Sequence, residues 1–146
     1  MAVSVNIKGF KELEKSLKEF GKEGQAVALD VVFATASDIE RDAKAEAPKN
    51  YGKLAQSIRS IKVENEVKYK VQANEPYAAF VEFGTGALVS IPDGWTDMAA
   101  DFRGRGIRQV NIAPQPYLYP AFQKGSRMLF KDLRNELKRL TDKFNG

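Results

Sequence analysis

Tyr77-Ala-Ala-Phe-Val-Glu-Phe-Gly-Thr-Gly86 and, further along, Ala113-Pro-Gln-Pro-Tyr-Leu-Tyr-Pro-Ala-Phe122 are the two stretches on which the shape of this chain turns. Neither holds a nucleophile, a metal-ligand pair or a phosphate cradle, so what they specify is how the backbone is bent and docked. The first is an aromatic-rich run from Tyr77 to Phe83, broken only by Glu82 and stopped at Gly84-Thr85-Gly86. Glycine lets the backbone turn there through positive φ without a Cβ clash. At this length periodicity cannot separate a buried strand from a short helix. The second stretch is an extended approach to a helix: Pro114, Pro116 and Pro120 each fix φ and remove an amide donor, and Pro120 suits a helix's first turn. Glu82, set among apolar residues, must be paired or hydrogen-bonded if buried. We expect it to take donors from the Gly84-Thr85-Gly86 turn or from an arginine, in a structural role.

Upstream, Val3-Ser-Val5-Asn-Ile7 alternates with the period of a half-buried strand, and Phe10, Leu13, Leu17 and Phe20 recur at helical spacing as far as Gly21. A longer helix follows, with Leu29, Val32, Phe33, Ala36, Ile39, Ala43 and Ala47 at steps of three and four until Pro48 ends it. Asn50-Tyr51-Gly52 reads as a turn, and Lys53 to Ser57 as a single helical turn. Ile58 to Val63 and Val67 to Val71 then form a hairpin across Glu64-Asn65-Glu66, with Lys68 and Lys70 on its wet face. The last helix carries one stripe of Phe122, Leu129, Phe130, Leu133, Leu137, Leu140 and Phe144. Between Ala87 and Ala113 lies a long irregular segment, and loops of that length in a compact domain are usually functional or disordered. Its apolar residues Leu88, Val89, Ile91, Trp95, Met98 and Phe102 argue against plain disorder. We expect it to fold against its own domain or a neighbouring subunit, which makes Leu88, Ile91, Trp95, Met98, Phe102, Arg103, Arg105 and Arg108 the candidate interface.

The expected architecture is α+β: a small, mainly antiparallel sheet of three or four strands, packed against the long helix and the C-terminal helix, with one long loop. At 146 residues the chain is expected to be one domain, residues 1–146, with 87–113 as an extended loop, whether flexible or not. It has no apolar run that could cross a bilayer and no signal-like start, so synthesis in the cytoplasm is expected. The absence of cysteine removes disulfides and thiolate sites, and the absence of histidine removes the commonest general base and metal ligand. The formal charge of +4 is unevenly spread. Residues 1–50 sum to −1, residues 51–100 to −1 and residues 101–146 to +6. That basic third suits an acidic partner surface or a nucleic acid nearby, or else a solvated helix face.

The remaining candidate sites are thin. Asp93, Asp97 and Asp101 would share one face if helical and could approach a hard cation, but Pro92 and Gly94 fit a helix start, where aspartate caps. Gly84-Thr85-Gly86 is too short for a phosphate loop. A single Arg103-Gly-Arg105-Gly is a weak nucleic-acid signature, even with Trp95 and Phe102 available for stacking. No catalytic residue, cofactor site or metal site is expected.

Ala47-Pro48, Gly52-Lys-Leu54, Ser57-Ile58, Tyr77-Ala78, Val81 to Thr85 and Pro116-Tyr-Leu118-Tyr-Pro120-Ala121 stand in an order that resembles the HK97 gp10-like family of tailed-phage tail-component and neck proteins. Tyr51 stands where the family usually has threonine and Tyr117 where it usually has phenylalanine, without disturbing that order. The resemblance makes Tyr77, Glu82, Phe83, Gly84, Thr85, Gly86, Pro116 and Pro120 the structural motif. It implies a virion protein of a tailed phage or prophage, acting at the neck or head-proximal end of the tail. It further implies copies around a symmetry axis, alongside other head or tail proteins. Arginines facing a central channel would then tolerate passing DNA, and no membrane partner is expected. The alternative from composition is a small basic nucleic-acid-binding module using the C-terminal third.

Overall fold

The computed structural model describes residues 3–6, 21–97 and 111–145. The chain runs β1 (Val3–Asn6), α1 (Gly21–Glu46), α2 (Gly52–Ser57), β2 (Ile58–Lys62), β3 (Tyr69–Ala73), α3 (Ala78–Phe83) and α4 (Leu118–Asn145). Single 3-10 turns sit at Lys49–Tyr51 and Gly86–Leu88. The helix expected over Phe10 to Phe20 lies outside the described residues. α1 starts at Gly21, well before the first apolar marker Leu29, and stops just short of Ala47-Pro48, where the residue before a proline resists the helical region.

α1 organises the domain because its buried stripe of Ala28, Val31, Val32, Thr35, Ala36, Ile39 and Ala43 is wide enough to face two neighbours. Towards the sheet, the Glu40 carboxylate accepts the backbone N–H of Ser60 at 2.7 Å and its hydroxyl at 2.8 Å, while the Phe33 and Tyr69 rings lie 5.5 Å apart. Burial pushes the Glu40 carboxyl up, but the Lys44 ammonium and the two Ser60 donors outweigh it and hold the group below its ordinary value.

In the hairpin, β2 and β3 are antiparallel, from Ile58 opposite Ala73 to Lys62 opposite Tyr69. Asn65 in the connecting turn takes φ 61°, a conformation asparagine tolerates better than most residues. Ile58, Val71 and Ala73 are buried, whereas Ile61, three residues on from Ile58, falls on the opposite face and is exposed. β1 pairs along the other side of β3, giving the order β1-β3-β2. Of the three or four strands expected, three pair among the described residues, and the β2–β3 hairpin is the part packed on α1. The run that could have supplied a further strand, Tyr77 to Phe83, is helical instead.

On its other flank α1 meets α4. Asp42 near the end of α1 pairs with Lys124 near the start of α4 at 2.9 Å, so the two helices run in opposite senses. The buried side of α4 is Ala121, Gly125, Leu129, Leu133 and Leu140, with Leu137 half-buried against it. Phe130 does not belong to that stripe: one residue beyond Leu129 it is rotated off the contact and is 52% exposed. The helices are in close contact at Gly125, where a Cβ would stand 2.5 Å from Cγ1 and 2.7 Å from Cδ1 of Ile39. On an open helix face Gly125→Ala would stabilise by about 1 kcal/mol. Here it is expected to destabilise by about 1–3 kcal/mol in urea unfolding, because overpacking a tight contact forces side chains off their rotamers. The loss should shrink in an Ile39→Ala background, and a stabilised Gly125→Ala protein would refute the contact.

Candidate functional site

α4 begins without a local cap. The residues before it, Gln115, Pro116 and Tyr117, include none of the serine, threonine, aspartate or asparagine side chains that usually accept the first free amides. The acceptor comes from α3. Oε2 of Glu82 takes the N–H of Tyr117 and of Leu118, each at 2.9 Å, and Oε1 takes that of Tyr119 at 2.9 Å. The fourth amide position of this helix end is Pro120, which has no N–H. One carboxylate thus satisfies every donor that the helix start leaves open. It is 2% exposed, and the positive end of the helix dipole lies against it.

The expectation that Glu82 is structural matches this geometry, but its donors were misassigned. They come from neither the Gly84-Thr85-Gly86 turn nor an arginine. The turn cannot supply them because its amides are used elsewhere: Gly84 N–H donates to Phe80 O at 2.9 Å and Thr85 N–H to Ile112 O at 2.9 Å. Burial pushes the Glu82 carboxyl above its ordinary value, and the three backbone donors of Leu118, Tyr117 and Tyr119 pull against that rise. Tyr117, fully buried beside it, donates its hydroxyl to Ala78 O at 3.2 Å. Burial, then the neighbouring Glu82 carboxylate, pushes the phenol far above its ordinary value.

Capping runs in the other direction as well. The carbonyls at the end of α3 take Gln115 N–H on Val81 O at 2.8 Å and Ser90 N–H on Phe83 O at 2.8 Å. Thr85 and Ile112 exchange a second bond, Ile112 N–H to Thr85 Oγ1 at 2.9 Å, and Ala87 N–H reaches Asn111 Oδ1 at 3.1 Å. The two ends of the long excursion are therefore stapled side by side. Gly84 sits at the crossing with φ 78°, and a Cβ on it would lie 2.8 Å from Ile112 O and 2.9 Å from Pro114. Gly86, at φ 62°, opens the 3-10 turn that carries the chain away.

The other expected motif and interface residues divide cleanly. Tyr77 precedes α3 and is half-buried against the core, Phe83 is buried, and Pro116 and Pro120 are exposed at the approach to α4. Trp95, expected at an interface, is 7% exposed and packs its ring against Phe83, Tyr119 and Phe122 at centroid distances of 6.1, 5.0 and 6.0 Å. Of the two possibilities left open for it, its own domain is the one it takes. Ile91 packs beside the same core, while Leu88, Val89 and Ile112 stand exposed around the foot of the excursion. Met98, Phe102, Arg103, Arg105 and Arg108 lie outside the described residues. Asp93 sits in a turn before Gly94, whose φ is 86°, so it does not begin a helical row of acids. Among the described residues no group of three acids is placed to hold a metal.

Gly125 and the Glu82 donors were the features that sequence reasoning missed. A signal for the second existed: a buried lone acid and a helix start lacking a cap residue are complementary deficits.

Glu82→Ala, which leaves three buried amides without an acceptor, is expected to cost about 3 kcal/mol or more, and Glu82→Gln less, since its one carbonyl oxygen keeps part of the set. Because the native carboxyl binds its proton more tightly than the unfolded one, its contribution is fullest below about pH 4.5 and declines as pH rises through the raised native value. The advantage of the parent over Glu82→Gln in urea unfolding should accordingly shrink from acid towards neutral pH; a growing advantage would reverse the assignment. Gly84→Val should lower the melting temperature by the equivalent of about 2 kcal/mol or more, from strained φ and a blocked approach together. An unchanged melting temperature would contradict the crossing.

The chain matches the profile of the HK97-gp10-like family, described as "Bacteriophage HK97-gp10, putative tail-component", over residues 11–84, half of its length. That match ends at Gly84, the corner from which the excursion leaves. Neither a curated protein nor a solved structure matches the chain. With the order of motifs and the corner at Glu82 and Gly84 in place, the chain belongs to the HK97-gp10-like family of bacteriophage tail components.

Proposed function

We propose that this tail-component protein is a structural rather than catalytic part of the virion, acting at the head-proximal end of the tail in head–tail joining or tail completion. It would do so as one of several copies in a ring, contacting other phage structural proteins. The observation that carries this reading is the stapled root of the excursion. Its ends are fixed to a buried helix start by Glu82 and by the Thr85–Ile112 pair, and Trp95 ties the outgoing limb to the core. A rigid root beside the exposed apolar side chains Leu88, Val89 and Ile112 is suited to presenting the segment between them, with Met98, Phe102, Arg103, Arg105 and Arg108, to a neighbouring subunit. A long segment held at such a root would wrap a large surface of the neighbouring subunit.

Replacing residues 98–110 by a Gly/Ser linker, with Trp95 and the Asn111–Ile112 staple kept, tests this. The variant should keep the parent's circular dichroism spectrum yet leave filled heads and free tails unjoined in electron micrographs of a complementation lysate. Normal numbers of joined particles would overturn the proposal.

A further inference from the structure

The outward side of α4 carries Arg127, Lys131, Arg134 and Lys138 at intervals of four, three and four residues. That spacing aligns them in one row on a helix of 3.6 residues per turn, about 16 Å long at 1.5 Å per residue. All four are exposed, on the side of the helix away from Leu129, Leu133 and Leu140. Their charges are uncompensated. The ion pairs near them, Lys124 with Asp42 and Arg139 with Glu136, use other cations, and among the described residues none of the four has a hydrogen-bond or ion-pair partner. Of the acids of α4, Asp132 and Glu136 line the groove towards α1, and Asp142, one turn beyond Lys138, stands at the far end of the row without an ion pair among the described residues.

We propose that this row is a contact surface for the phosphate backbone of duplex DNA. Protein partners are usually met through a buried aromatic or apolar centre, with lysine depleted. Here the row itself is only lysine and arginine, with Phe130, about half exposed, at its edge. A straight ridge of cations instead suits a polyanion with closely spaced charges, about one per 3.4 Å of axis on each strand of duplex DNA, and contacts of that kind position a protein without reading sequence. The row is separate from the excursion, so it can fail or stand independently of the tail-joining reading.

The test is fluorescence anisotropy with a labelled 20-base-pair duplex, using the full chain across a salt series. With four phosphates engaged, affinity should fall by about 100-fold between 50 and 200 mM salt. Arg127→Gln/Lys131→Gln should reduce the slope of log affinity against log salt by roughly two. Lys22→Gln/Lys49→Gln, which removes equal charge from exposed positions outside α4, should leave that slope unchanged. Equal effects of the two pairs would show attraction to net charge alone and overturn the proposal. Absence of salt-sensitive binding, or binding of an acidic protein to the row in place of DNA, would overturn it too. Circular dichroism of each variant separates lost binding from lost folding.

Discussion

A single buried carboxylate sets where the last helix begins. Isolated, a charged group at the position of Glu82 would be one of the costliest things a small domain could bury. It is stable here because three peptide N–H groups converge on it, from Tyr117, Leu118 and Tyr119, and because the dipole of a 28-residue helix points its positive end at the same oxygens. The matching is close to stoichiometric, since Pro120 withdraws the one further amide that would have competed for an acceptor. A shift of α4 by one residue in either direction would change which amides face the carboxylate. Glu82 thereby sets the register of α4 as well as its start, and so which of its residues, Gly125 among them, meets Ile39 on α1.

The same corner divides the molecule into two regimes. On one side, α1 holds the hairpin through Glu40 and Ser60 and holds α4 through a contact so close that only a hydrogen fits at position 125. On the other, the chain leaves at Gly86 and returns at Asn111, having first spent Trp95 on its own core. Paired backbone bonds at the crossing keep the departure and the return in fixed relation. The corner thus joins the packed core to both feet of the excursion within a few residues.

Much of this was legible in the sequence where local rules act alone. Pro48 marked the end of α1, alternation and Asn65 marked the hairpin, and the three-four spacing marked α4. The failures share a cause. Tyr77 to Phe83 was ambiguous because six or seven residues are too few for period to show, and the choice of helix rests on partners that arrive only from residues 90 and 115. Phe130 was counted into the apolar stripe because hydrophobicity alone does not say which side of a helix has a neighbour. The donors of Glu82 were sought nearby in sequence when they lie 35 to 37 residues away. Gly125 gave no sign, because a glycine chosen for lack of volume looks the same as one tolerated on a surface. The family resemblance supplied the order of motifs but not the bonds between them.

The staple across Thr85 and Ile112 also bears on how such a protein can change over time. Closing a flexible loop costs free energy that grows only with the logarithm of its length, about 0.6 kcal/mol for each doubling. Hydrogen bonds among Thr85, Ala87, Asn111 and Ile112 hold both ends of the excursion, so its points of departure and return are set by residues beside the corner. By that scaling, a change in the length of chain between the two fixed points would itself cost little in closure.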